Sequence, residues 1–282
     1  MKINPGPMKE DLSWSPSAKE NLSLTFLDDP RVLVHIFYPR RDIGSNLETS
    51  NRSVISFHME DETRVDGVMH MADKSSPNIL FFHGNGETAY DYDDIGPVYG
   101  EMNINFCIVD FRGYGTSEGT PKYISMLKDA ESIFRQYLAF IKEKGFTGNV
   151  FVMGRSLGSA SALKIASSHP EEVSGLILES GFAHTFNLLV NLGVNPRLLD
   201  GSKEHLISNQ EMMKGAKMPV LVIHGEEDEI IPLEDGLDLY AAATNENKNM
   251  LVIPEAGHNT LMLYGLEEYM EAIKRFVEIP AF

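Results

Sequence analysis

From Pro77 onward the chain repeats one rhythm: a short apolar run, a glycine-containing loop, then a longer stretch compatible with a helix. Apolar runs bounded by turn residues suit strands buried on both faces, and their alternation with helices requires parallel pairing through crossover connections. The expected strands are Asn78–Phe82, Asn105–Asp110, Asn149–Met153, Val173–Leu178, Pro219–His224 and Asn249–Ile253. The expected helices lie near Thr88–Glu101, Lys122–Lys144, Leu157–Ser168, Leu233–Ala243 and Thr260–Glu278. Ahead of them, between Leu22 and Met71, the segments LSLTFL, RVLVHIFY, SVISFHME and VDGVMHM are short and rich in β-branched and aromatic residues, which predicts antiparallel strands. The first twenty residues, polar and proline-containing, are expected to be loosely held. Together these features predict an α/β fold over residues 1–282 as one domain, since 282 residues suffice to bury a single large core. Only the interval Phe182–Lys217, after the sixth strand, breaks the rhythm. Its apolar first half (FNLLVNLGV) fits either a small cap inserted over the sheet or an irregular pair of core helices.

The most informative local pattern is Gly154-Arg155-Ser156-Leu157-Gly158, which falls directly after the strand NVFVM and before LGSASALKIASS. At a strand-to-helix turn the glycines let the backbone reverse sharply against neighbouring strands and lift the serine hydroxyl clear of the sheet at a helix N-terminus. Small residues from Gly158 to Ala162 permit that close packing. Ser156 is therefore the candidate nucleophile. A serine hydroxyl needs a general base, and the base an orienting carboxylate, which follow in the order acid then histidine. His258, in the glycine-flanked loop EAGHNTL after the last strand, is the candidate base. Asp228, in HGEEDEIIP after the strand PVLVIH, is the candidate acid, with its neighbours Glu227 and Glu229 as alternatives; His224 is expected to support that loop. Each candidate sits at the C-terminal end of a parallel strand, where open sheets of this type place their ligands. Two backbone amides should hold a developing oxyanion, one from Leu157 and one from Asn85 in the turn His83-Gly84-Asn85-Gly86, with Gly84 giving the backbone room.

The blocks HGNGE, DFRGYGTSEG, GRSLGSA, HGEEDEIIP and AGHN, in this order, resemble the α/β-hydrolase superfamily from about residue 54 to the C-terminus, and in particular its BEM46-like and serine-aminopeptidase-like branch. The resemblance implies a mostly parallel central sheet with an antiparallel N-terminal part, helices on both faces, a Ser156–Asp228–His258 triad, and oxyanion amides at Asn85 and Leu157. It also implies esterase, thioesterase or lipid hydrolase activity and a structural role for the Arg112–Gly115 loop. Two departures stand out: Ser159 where many relatives carry glycine, and the stretch Leu22–Arg41, which has no clear counterpart.

The formal net charge of −17 argues against nucleic acid as a partner and against anionic membranes, because phosphate binding needs clustered Lys and Arg. No apolar run is long enough to span a bilayer and the N-terminus lacks the apolar centre of a signal peptide, so a soluble, cytoplasmic protein is expected, without stable membrane insertion. The single cysteine, Cys107, sits in the apolar run NINFCIVD and is expected to be a small buried hydrophobe. No HxxxH or HxH pair suggests a metal, and no cofactor is expected. The expected partner is a small ester or acyl substrate. A peptidase acting through the same triad, and a non-catalytic binding protein that keeps the fold, are the competing readings.

Overall fold

The computed structural model describes residues 26–42, 48–199 and 206–278. The first twenty residues, and with them most of LSLTFL, lie outside the described residues. Eight strands form one sheet in the order β1-β2-β4-β3-β5-β6-β7-β8, from β1 (Arg52–His58) and β2 (Arg64–His70) through β3 (Asn78–Phe82), β4 (Asn105–Val109), β5 (Val150–Arg155) and β6 (Gly175–Glu179) to β7 (Val220–Gly225) and β8 (Lys248–Ile253). β1 pairs antiparallel with β2, and β2 antiparallel with β4; every other pairing is parallel. The mostly parallel α/β sheet with an antiparallel N-terminal part is thus the architecture observed.

Alternation along the strands sorts side chains into two cores. Leu80, Phe82, Cys107, Val109, Val152 and Leu178 face one layer of helices; Ile79, Phe81, Ile108, Met153, Ile177 and Ile223 face the other. The first layer includes α3 (Tyr123–Lys144), α4 (Gly158–Ser168), α6 (Asn209–Gly215) and α7 (Leu233–Ala242), and the second includes α2 (Gly96–Glu101) and α8 (Leu261–Val277). α3 buries Met126, Leu127, Ala130, Ile133, Phe134, Tyr137 and Ile141, a stripe at three- and four-residue spacing, and stops where Gly145 turns left-handed at φ 77°. Cys107 is fully buried in the first core, and burial pushes its thiol well above the usual range.

Two expectations fail locally. RVLVHIFY is not a strand: Pro30–Ile36 forms helix α1, with Asp29 capping it by accepting the Arg31 amide at 2.8 Å and Pro30 in the first turn. Val32 and Ile36 are buried four residues apart, while Val34, which strand alternation would bury with them, is 62% exposed. The expected helix Thr88–Glu101 is a 3-10 turn, Ala89–Tyr92, followed by α2, whose first turn contains Pro97. The interval Phe182–Lys217 contains α5 (Thr185–Asn191), a 3-10 turn at Pro196–Leu198, and α6, with residues 200–205 outside the described residues. α6 packs against α4 and α7, whereas α5 touches α1.

Downstream of α1 the chain crosses the C-terminal edge of the sheet. Asp42 donates its amide to the Gly115 carbonyl at 3.1 Å, Gly115 donates to Arg40 at 2.8 Å, and the Arg40 guanidinium binds Thr88 Oγ1 at 3.0 Å and the Asp91 carboxylate.

Candidate active site

β5 ends in the GRSLG turn. Ser156 takes φ +52°, a left-handed conformation that costs a side-chain-bearing residue on the order of 1 to 3 kcal/mol. The crowding behind it explains the glycines: a Cβ on Gly158 would stand 2.1 Å from the Phe82 carbonyl oxygen, and one on Gly154 2.4 Å from the Gly158 oxygen. Both obstacles are backbone, which cannot step aside. Gly158→Ala is therefore expected to cost about 3 kcal/mol of stability, read as a lower urea midpoint; a wild-type midpoint would refute this packing argument.

Ser156, Asp228 and His258 meet in one line. Ser156 Oγ lies 3.0 Å from His258 Nε2, and His258 Nδ1 lies 2.8 and 3.0 Å from the two Asp228 oxygens. A carboxylate only accepts, so Nδ1 carries the proton and Nε2 faces the serine hydroxyl as an acceptor. Asp228 Oδ1 also accepts the amides of Ile230 at 3.0 Å and Ile231 at 2.8 Å. Burial pushes the Asp228 carboxyl up, but the His258 hydrogen bond and charge and the Ile231 amide outweigh it and hold the group below the usual carboxylate range. Of the acidic run only Asp228 is buried; Glu226, Glu227 and Glu229 are exposed. Glu229 nevertheless contributes, since its Oε2 accepts the His258 amide at 3.2 Å. His224 supports the loop: its Nε2 donates to the Ile231 carbonyl at 2.9 Å, and burial depresses its basicity.

The two amides assigned to the oxyanion belong to well-anchored segments. Leu157 is the N-cap of α4, where amides have no acceptor within the helix and the dipole favours negative charge. Asn85 is fixed through its side chain: Oδ1 accepts the Tyr114 hydroxyl at 2.7 Å and the Tyr38 amide at 2.9 Å. The Arg112–Gly115 loop therefore touches the turn after β3 through Tyr114, while Arg112 binds Asp129 with both Nε (2.6 Å) and Nη2 (2.8 Å), tying the loop to α3.

Ser159 has a task that glycine could not perform. Its hydroxyl donates to the Ser156 carbonyl at 2.6 Å and accepts from Asn209 Nδ2 at 3.2 Å, binding the elbow to the start of α6. Ser159→Ala is expected to lose about 1.5 kcal/mol, because the buried Asn209 amide keeps only its 2.8 Å bond to the Phe182 carbonyl. Chemical denaturation checks this, and an unchanged midpoint would show that the bridge contributes nothing.

Sequence reasoning passed over the charged groups behind the elbow. Arg155 is 8% exposed and binds Glu87, Glu179, Asn259 and the His258 carbonyl. The available signal was a lone arginine closing an otherwise apolar strand, matched by a glutamate in HGNGE and another at the end of β6. Among the described residues no group of three or more His, Cys, Asp or Glu side chains could hold a metal ion, and no helix is long and apolar enough to cross a membrane.

Comparison with known proteins adds independent information. The family model described as serine aminopeptidase, S33, matches residues 73–195 and 187–262, more than half of the chain. Protein bem46 of Schizosaccharomyces pombe is 26% identical over 231 residues, covering 79% of this chain and 75% of the relative. Human alpha/beta hydrolase domain-containing protein 17B is 30% identical over 216 residues, covering 72% and 68%. Among solved structures, the Pyrococcus furiosus esterase Pf2001 superposes with a TM-score of 0.68 at 18% identity, covering 85% of this chain and 98% of that one.

Proposed function

Since this chain belongs to the serine aminopeptidase, S33, family and is a hydrolase with the α/β-hydrolase fold, we propose that it cleaves a carboxylic ester or thioester through an acyl-enzyme on Ser156. The observation that carries the reading is the continuous Ser156–His258–Asp228 hydrogen-bonded line with the serine held at positive φ.

In the proposed reaction His258 Nε2 takes the hydroxyl proton as Ser156 Oγ attacks the carbonyl carbon, and Asp228 stabilises the resulting imidazolium. The carbonyl oxygen, now an anion, receives the amides of Leu157 and Asn85. Collapse of this intermediate breaks the bond to the alcohol or thiol, which leaves with the proton from His258. Water then attacks the acyl-serine, again giving its proton to His258, and the carboxylic acid departs as Ser156 regains its hydrogen. The step asks nothing of a metal or organic cofactor.

An ester or thioester is favoured over a peptide by the apolar stretch Phe182–Leu192, containing α5, which suits a hydrophobic acyl group. Esterase is also the activity in the name of the Pf2001 neighbour. The test is a panel of activated esters of increasing chain length, thioesters and aminoacyl amides, combined with fluorophosphonate labelling. Labelling at Ser156 with ester or thioester turnover is expected. No labelling of Ser156, or turnover of aminoacyl amides alone, would overturn the proposal.

A further inference from the structure

The Arg155 guanidinium, next to the nucleophile in the chain, touches both the turn that carries the Asn85 amide and the loop that carries His258. Its Nε donates to Glu179 Oε1 at 2.9 Å, its Nη1 pairs with Glu87 Oε1, and its Nη2 donates at 2.9 Å to both the His258 carbonyl and Asn259 Oδ1. These acceptors lie on three separate segments: the turn after β3, the end of β6, and the loop after β8. Each is joined in turn to a working part of the site. Glu87 Oε2 accepts the Gly84 amide at 2.8 Å, immediately before Asn85. The Glu179 carbonyl accepts the Ser156 amide at 2.9 Å. His258 is held by its own main chain.

We infer that Arg155 is a positioning residue that sets the distance between the oxyanion turn and the general-base loop around Ser156, so that the ester or thioester chemistry proposed above depends on its planar fork and not on its charge alone. The inference rests on that reading of the triad. A planar guanidinium presents donors in fixed directions and so defines the relative places of its acceptors; an ammonium on a flexible stem does not. The surroundings leave no slack. A Cβ on Gly84 would stand 2.6 Å from Arg155 Nη1, Tyr92 donates to Glu87 Oε2 at 2.6 Å, and Tyr269 donates to Glu179 Oε2 at 2.7 Å. Burial disfavours the Arg155 charge, yet the two carboxylates more than compensate and keep the guanidinium protonated. Against burial, Arg155 and the Tyr92 hydroxyl hold Glu87 below its usual range, while Glu179, deeper in the protein, stays raised.

The experiment measures turnover per active site, with sites counted by fluorophosphonate or burst titration. Arg155→Lys preserves the charge and removes the fork. Its kcat per titrated site is expected to fall about 10- to 100-fold with KM within about twofold, because displacing a reacting group by a fraction of an ångström acts on the transition state and not on ground-state binding. Glu87→Gln, which loosens the oxyanion side, and Asn259→Ala, an exposed position that loosens the base side, are each expected to lower kcat per site about 3- to 10-fold by the same route. Arg275→Met removes a different, exposed arginine–carboxylate pair, on α8, and should leave kcat per site unchanged. If Arg155→Lys does not fold, Glu87→Gln and Asn259→Ala decide. Wild-type kcat per site in these variants overturns the inference, as does a loss confined to the number of titratable sites. Absence of Ser156 labelling in the wild type would instead overturn the underlying triad reading.

Discussion

Ser156→Ala is expected to abolish ester or thioester turnover, lowering kcat by about 10⁴-fold or more, while the unfolding midpoint stays near that of the wild type. The hydroxyl's recorded bond is to His258 Nε2, so removing it leaves no buried partner with an unmet obligation that water or a small shift could not satisfy. Alanine, moreover, is strained at φ +52° to much the same degree as serine. Steady-state kinetics with a short activated ester, alongside denaturation, provides the check. Residual turnover within tenfold of wild type would show that the hydrolytic nucleophile lies elsewhere.

Asp228→Asn should be nearly as damaging, with a loss of about 10³- to 10⁴-fold in kcat. Both Asp228 oxygens face His258 Nδ1, and the amide that would replace one of them offers a donor where only an acceptor fits. The imidazole then places its proton on Nε2, and the serine proton has nowhere to go. Glu227→Gln, at an exposed position, should stay within about twofold of wild type in the same assay. Equal losses in the two variants would remove the assignment of Asp228. The same pair carries a pH signature. The folded-state Asp228 carboxyl is held below its unfolded value, so its stabilising contribution is complete above about pH 4 and is lost as pH falls through the depressed folded value. The stability gap between wild type and Asp228→Asn should therefore narrow as the pH is lowered below about 4. A gap that widens on acidification would contradict the sign.

The parallel half of the sheet was legible in the sequence because its strands are buried on both faces. NILFF, NFCIV and GLILE have every residue buried, and no alternation was needed to find them. RVLVHIFY misled for a complementary reason: β-branched residues at 32, 34 and 36 mimic a strand, and only Asp29-Pro30 marked the helix start. Similarly, Gly96-Pro97 announced the break that divides the expected helix Thr88–Glu101. At the site, order along the chain sufficed to nominate Ser156 and His258. The choice of Asp228 among four adjacent acids depends on which one the loop turns inward, and that is set by the Ile230 and Ile231 amides together with His258, thirty positions away. Arg155 was hidden for the same reason. Its partners are 24, 68, 103 and 104 residues distant, and pairing over such spans leaves no local pattern.

The separation of Ser156 from His258 by 102 residues has a consequence during synthesis. A chain emerging from the ribosome presents its N-terminal portion first, so the GRSLG elbow is made well before β8 and the loop that follows it. Until that last parallel strand docks beside β7, Ser156 lacks the His258 imidazole it meets in the folded chain, and the guanidinium beside it lacks the His258 carbonyl and Asn259. On the proposed mechanism a nascent or C-terminally shortened chain is therefore chemically silent, and acyl transfer becomes possible only when the final crossover closes.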